Sequence, residues 1–556
     1  MALIATTTHR YEIGPMASWW RHRLGWAFTA VLLGIVVLAP LAYIGVSLLS
    51  PAGDGWRHIQ EHLLSRYLKG TGAVVLLTMG WTTLFAVVPA WLVAAFQFPG
   101  RRALSWLLAS PLAVPSYIAA IAWAGLLDFT GPIQTTLRTH LGNDAARLVP
   151  DIMNVWGVSF VLGSVLYPYV YVTTRAALLR QTATLIEAAR CLGAGPSRAF
   201  LEVVLPTLRP AIVAGLALVL MESVNDYGAV HYYGVDTFTT GIFRSWLALG
   251  DVASAIRLAA VLLVVTAFAL GMERLARGRQ RFDDAGTTRP LSRWHLTGIR
   301  GWLATLACTT PVLAGLVIPV WMLTRWTVRT YDGIVWTEFL ELTVRSVALA
   351  ATAAFVVVIG GVILSYARRV KHTPLLSGIT GLAGAGYAVP GAVIAVGVFS
   401  LGAVLDGLCH STGLVPVGTL FVGGSVGALI WAYSVRFLAV GLQPIDAGFT
   451  RQGPVLDEAA RTLGAGPLRA LISVHAPLLR GSLAGAATLA FVDVLKELPL
   501  TLILRPFDFA TLATHTYELA SEEMVPASAP GALLLVGFGL VAVAVAQRGL
   551  LSRQER

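Results

Sequence analysis

Two short polar clusters interrupt an otherwise apolar chain: Glu222, Asn225 and Asp226, and then Asp493, Lys496 and Glu497. Each member of the second cluster follows its counterpart by 271 residues (493 − 222, 496 − 225, 497 − 226). Ionisable groups at membrane depth are costly, and they serve a solute path or find a partner. Paired carboxylates suit a hard cation, which prefers oxygen ligands. The plainer alternative is that both clusters hydrate at the outer interface, with Lys496 offsetting Glu497. Glu222 and Asp493 lie about one helical turn before Asp226 and Glu497 and so sit deeper. Pro115 and Pro390 would break helices beside such a path, or simply kink them. The eleven histidines are dispersed, and His475 is expected to be exposed. Cys191, Cys308 and Cys409 have no metal or redox spacing. No metal site, cofactor or catalytic constellation is expected.

The elements that must position these residues follow from composition. Of 556 residues, 56% are apolar and 12% are charged, about half the charged share of a soluble domain. A soluble globule could not hide that much apolar surface. Twelve runs are long enough to cross a bilayer, which takes about 20 residues each. They lie near 25–49, 72–96, 103–127, 154–178, 210–230, 255–275, 301–324, 344–366, 378–404, 417–441, 482–504 and 530–548. The first run is too long for a signal peptide and reads as a retained span. Lys and Arg exceed Asp and Glu by 11 (40 − 29). Their places in alternate loops, including Arg101, Arg102, Arg368 and Arg369, put both termini in the cytoplasm by the positive-inside bias. That reading replaces nucleic-acid binding as the source of the basic excess.

The positions between spans four and five and between spans ten and eleven carry a duplication. Residues 187–210 read EAARCLGAGPSRAFLEVVLPTLRP, and residues 458–481 read EAARTLGAGPLRALISVHAPLLRG. The offset of 271 continues to Asp226 and Glu497 and is read on to Thr240 and Thr511; upstream, Val114-Pro115 matches Val389-Pro390 at 275. The chain therefore divides into 1–276, a basic linker 277–299 expected to be a flexible cytoplasmic strap, and 300–556. Six spans per half make the repeat parallel rather than inverted. Each copy reads as a helix, a glycine turn at Gly193-Gly195-Pro196 or Gly464-Gly466-Pro467, and a short second helix ended by Pro206 or Pro477. Such a knob suits a groove in a partner.

Glu187-Ala188-Ala189 with Gly193, and Glu458-Ala459-Ala460 with Gly464, resemble the EAA loops of ABC importer permeases, here at 180–210 and 451–481. The resemblance implies an all-α polytopic membrane protein of about twelve transmembrane helices, two parallel six-helix repeats with the type I importer permease fold. It implies that Glu187, Ala188, Ala189, Gly193, Gly195 and Pro206, with Glu458, Ala459, Ala460, Gly464, Gly466 and Pro477, couple the chain to two copies of a cytoplasmic ATPase. A periplasmic binding protein would deliver the cargo, and the surroundings would be the lipid of a bacterial inner membrane. Segments such as Glu222–Gly228 and Asp493–Pro499 are similar to the fused permeases of ferric iron importers. Thiamine importers share that fused design and supply an alternative cargo. No phosphate-binding Gly-rich Lys-Ser/Thr loop occurs, so hydrolysis would sit on another chain. A secondary transporter would require buried mid-span carboxylates, and these spans are nearly free of them.

Overall fold

The structure is a computed structural model that describes residues 15–51, 53–146, 149–181, 187–189, 191–277, 293–371, 373–413 and 422–551. The linker expected at 277–299 lies mostly outside these, as do residues 182–186 and 190 of the first EAA loop.

Among the described residues, eleven helices are long and apolar enough to cross a membrane, and one bent pair makes twelve. In chain order they are Leu24–Ser47, Asp54–Ala95, the pair Arg101–Ala113 with Ser116–Leu141, Val155–Leu179, Pro196–Asn225, Val252–Met272, Ile299–Gly333, Trp336–Val370, Gly391–Ser411, Val426–Gln452, Pro467–Leu495 and Val525–Gln547. Their sequences are apolar around the whole circumference, as lipid demands of a helix whose backbone must satisfy itself. The first span still has two sides. Ala30, Val37 and Ile44 recur every seven residues and are buried, whereas Leu24, Phe28, Leu32 and Ile35 are exposed.

Two of the apolar runs are not continuous helices. Span three bends by 97° between Ala113 and Ser116. Pro115 forces Val114 into an extended conformation and itself stands as N-cap at φ −58°, ψ 140°. Pro390 likewise stands as N-cap, at φ −57°, ψ 139°, so the run read at 378–404 becomes Pro374–Ala383 followed by Gly391–Ser411. A short 3-10 turn precedes each break, Ser110–Ala113 and Gly386–Ala388. Spans five and eleven end earlier than their apolar runs, at Asn225 and Leu495, and short helices Gly228–Tyr232 and Pro499–Leu504 follow.

The chain forms two compact units, each drawn from both halves of the sequence. One comprises Met1–Ala39, Ala351–Tyr387 and Tyr433–Phe491. Its core is Tyr366, Val370, Ile445, Phe449, Leu471, Leu479 and Ala486, with Trp26 edge-on to Tyr366 at 5.0 Å. The other comprises Pro40–Ala350, Ala388–Ala432 and Val492–Arg556. There spans two, four and five cross closely at glycines. A methyl group on Gly163 would meet Trp81 at 2.4 Å, and one on Gly215 would meet the Val170 backbone at 2.6 Å. Small residues let membrane helices approach in this way. In the same unit Trp294 and His295, at the end of the linker, pair in parallel with Phe96 and Gln97.

Candidate functional site

Both copies of the repeated element end their first helix identically. In the second copy this helix is Val455–Thr462. The Ala194 amide donates to Ala189 O and the Ala465 amide to Ala460 O, each at 2.9 Å. These six-to-one bonds close over a left-handed glycine, Gly193 at φ 80° and Gly464 at φ 76°, which is the Schellman cap that glycine favours. Gly195 and Gly466 differ: their φ values of −71° and −68° are ordinary extended backbone, and each precedes Pro196 or Pro467 at a helix start.

The second helix does not stop at Pro206 or Pro477, contrary to the sequence expectation. It runs on through a π-helical turn, Ala199–Val204 or Leu471–His475, into the spanning helix that ends at Asn225 or Leu495. A proline inside a helix clashes with the carbonyl four residues back and donates no hydrogen bond. The wider π turn just before it absorbs that defect.

The outward faces match as well. Ala189 and Ala460 are buried. Leu192 and Leu463 are 88% and 86% exposed, and Leu201 and Ile472 are each 61% exposed. Two copies thus present the same pair of apolar side chains beside the same turn.

What lies beneath the second copy was not legible. His475 is completely buried, not exposed. Its Nε2 lies 2.9 Å from Asp457 Oδ1 and its Nδ1 2.6 Å from Gln452 Oε1. Arg369 donates from Nε to Asp457 Oδ2 at 2.7 Å. Burial pushes the Asp457 carboxyl up, but the hydrogen bonds from His475 and Arg369 and their charges outweigh it and hold it below the usual carboxylate value.

The polar clusters lie within one unit and turn out to be joints. Asp226 Oδ1 accepts the Ala229 and Val230 amides at 3.0 and 3.2 Å, capping the helix Gly228–Tyr232, and Oδ2 accepts the Ser116 hydroxyl. Thr239 donates to the Asp226 carbonyl at 2.8 Å. Asn225 Oδ1 accepts the Gly391 amide at 2.6 Å. Ser116 and Gly391 are the residues directly after Pro115 and Pro390, where a helix N-terminus leaves amides without intrahelical partners. Two consecutive residues at the end of span five therefore hold both broken helices. Glu497 Oε1 accepts the Leu500 amide at 3.0 Å and caps Pro499–Leu504.

Asn225, Asp226 and Glu497 are buried. Glu222, Asp493 and Lys496 remain partly exposed, with Lys496 Nζ 2.9 Å from Asp493 Oδ1 and within electrostatic reach of Glu222. Among the described residues no group of three or more His, Cys, Asp or Glu side chains could hold a metal ion.

Ser116 and the threonine caps escaped the sequence reading. Thr237 and Thr240 form a capping box, and so do Thr511 and Thr514. The amides after the caps are bound by Thr71 and Ser346: Phe238 to Thr71 at 3.1 Å, Leu512 to Ser346 at 2.8 Å. The equivalent pairs are thus 274 apart (511 − 237, 512 − 238), and the register of 271 does not extend to Thr240 and Thr511. A shift of three residues separates Asp226 from Thr237.

Residues 86–281 match the family described as binding-protein-dependent transport system inner membrane component. The chain is 24% identical to the Fe(3+)-transport system permease protein FbpB 2 of Haemophilus influenzae over 92% of this chain and 96% of that protein. It is 30% identical to the probable sulfate transport system permease protein cysT of Nephroselmis olivacea, over 34% of this chain and 69% of that one. It is 29% identical to the sulfate transport system permease protein CysW of Escherichia coli, over 40% and 75%.

Proposed function

This chain belongs to the binding-protein-dependent transport inner-membrane components, the permeases of ABC importers, and from that premise we propose that it forms the path for ferric iron in an ATP-driven importer. The doubled element carries the coupling part of this reading. Two left-handed glycine turns, each beside an exposed leucine and an apolar residue nine positions on, present equivalent knobs to two copies of one cytoplasmic ATPase. Glu187, Ala188, Ala189, Pro206 and their counterparts Glu458, Ala459, Ala460 and Pro477 set each knob against its spanning helix. Both termini face the cytoplasm, and a periplasmic binding protein hands over the cargo at the other side.

Pro115 and Pro390 open the third and ninth spans beside the route, and Asn225 and Asp226 hold the open ends. Glu222, Asp493 and Lys496, the partly exposed members of the polar clusters, line it; Glu497 supports it as a cap. Iron rests on the Haemophilus influenzae relative, which is matched along nearly its whole length. The sulfate permeases support the competing cargo, because their identity is higher over a shorter stretch.

Uptake of radioactive ferric iron and of radiolabelled sulfate, in cells with and without the gene, separates the two. Deletion is expected to abolish high-affinity iron uptake and leave sulfate uptake intact. The opposite pattern would overturn the cargo while leaving the permease assignment standing.

A further inference from the structure

The two knobs match on the outside but are seated differently underneath. In the repeat register His475 and Asp457 correspond to Val204 and Ile186 (475 − 204 and 457 − 186 are both 271), and Tyr366 and Arg369 to Trp91 and Ala94 (366 − 91 and 369 − 94 are both 275). The first knob rests on apolar groups. Trp91 lies 5.2 Å from Phe200 in the π turn and 5.9 Å from both Phe96 and Trp294, and Val204 and Ala94 are buried.

The second knob packs Leu471 into the apolar cluster of Tyr366 and Phe449 and adds charge to it. Arg369, near the end of span eight, donates to Asp457 Oδ2, to Phe449 O at 2.6 Å and to Gly453 O. Asp457 in turn meets the wholly buried His475. Tyr366, one helical turn before Arg369 on the same helix, donates to Pro467 O at 2.7 Å. Asp457 belongs to the first helix of the knob, Pro467 to the start of the second and His475 to the π turn. All three parts are therefore fastened to, or through, one helix end.

Ring contacts, which both knobs make, are less strongly directional than charge-assisted hydrogen bonds. Partly buried charge-assisted hydrogen bonds are directional, and losing one partner leaves the other without its match. We infer that Arg369, Asp457 and His475 form a latch that fixes the angle of the second knob, so that this knob transmits the ATPase stroke rigidly while the first yields. The inference rests on the reading of the two elements as coupling loops. Asp457 is then a positioning residue: it acts through the knob and touches neither cargo nor nucleotide.

The test uses the complete transporter, with its ATPase and binding protein, in proteoliposomes. The readout is ATP hydrolysed per radioactive ferric ion taken up. Asp457→Asn keeps the size and removes the charge. Should it fail to assemble, the combined variant Arg369→Ala, Asp457→Ile, His475→Val rebuilds the seat with the residues of the first copy. Each is expected to raise the ratio severalfold while still stimulating hydrolysis. Phe200→Leu, which gives the first knob the residue of the second, is expected to raise it less. A wild-type ratio in the combined variant would show that the charges serve stability alone and would overturn the inference, as would an equal rise in Phe200→Leu.

Leu192→Cys and Leu463→Cys, each combined with Cys191→Ser to remove the exposed native thiol, report docking in the same transporter by cross-linking to the ATPase. Absence of both cross-links in otherwise unaltered protein would refute the coupling reading itself. Intact cross-links with an unaltered ratio would refute only the latch.

Discussion

Replacing Gly464 by valine isolates one physical term, because the backbone and the surroundings can be separated. A Cβ built on Gly464 meets no described atom within 4 Å, and the same holds for Gly193, Gly195 and Gly466. The Cβ itself therefore finds open space at all four. What differs is φ: 76° at Gly464 and 80° at Gly193, against −68° at Gly466 and −71° at Gly195. A residue with a Cβ in the left-handed region costs roughly 1–2 kcal/mol, and a β-branched residue fits there worst. That energy depletes the capped turn by about 5- to 30-fold. Asparagine tolerates the same conformation.

The expected order of damage to cargo uptake and to ATPase stimulation is Gly464→Val, then Gly464→Ala, then Gly464→Asn, with Gly466→Ala least of all. Gly193 and Gly195 should repeat the order in the first copy. Uptake and hydrolysis are measured in proteoliposomes at equal permease content, checked by immunoblot. Equal losses in Gly464→Val and Gly464→Asn would refute the backbone argument. Gly466→Ala as damaging as Gly464→Ala would show that the second glycine is needed for contact with the partner rather than for its conformation.

Ser116→Ala and Asp226→Ala each remove a hydrogen bond to a charged group, worth about 1.5–3 kcal/mol, and should lower the melting temperature in detergent; Asp226→Asn keeps an acceptor for the Ala229 and Val230 amides and should cost less. Leu192→Asp and Leu463→Asp together should abolish copurification with the ATPase while either alone weakens it, since each alters one of two equivalent knobs. Asp457 has a depressed carboxyl value in the fold, so it adds stability above the ordinary carboxylate value of 3.8, and that stability is lost as pH falls below it through the lower folded value. The difference in melting temperature between wild type and Asp457→Asn should accordingly be constant from neutral pH down to about 5 and shrink only below about 4.

The doubled knob was legible because its determinants are local. Glycine, proline and small residues at fixed spacing dictate a cap whatever surrounds them, and both copies obey. The spans were legible for the same reason, except where an apolar run conceals a break. Hydropathy does not register that Val114 and Val389 must leave the helix ahead of a proline. Pro206 and Pro477 misled in the opposite direction, because a π turn spares the helix and no side-chain pattern announces one. His475 could not be placed from the sequence, since its burial depends on Asp457 and Gln452, 18 and 23 residues away, and on Arg369, which precedes Asp457 by 88.

The polar clusters show what such long-range partners change. Read from sequence, Asp226 and Glu497 are candidates to line the path of a cation, or else groups that hydrate at the outer interface. In the fold their carboxylates are committed to amides that no helix satisfies, and Asp226 also to Ser116. A carboxylate held by backbone amides in a buried site has fewer lone pairs left for a cargo. The partly exposed groups proposed to face the route are Glu222, Asp493 and Lys496, two carboxylates to one ammonium, which lies 2.9 Å from Asp493 and within electrostatic reach of Glu222. A dianion such as sulfate would meet more negative than positive charge there, whereas a cation would be drawn in. That balance is an electrostatic argument that joins the Haemophilus influenzae likeness in supporting the proposed iron cargo.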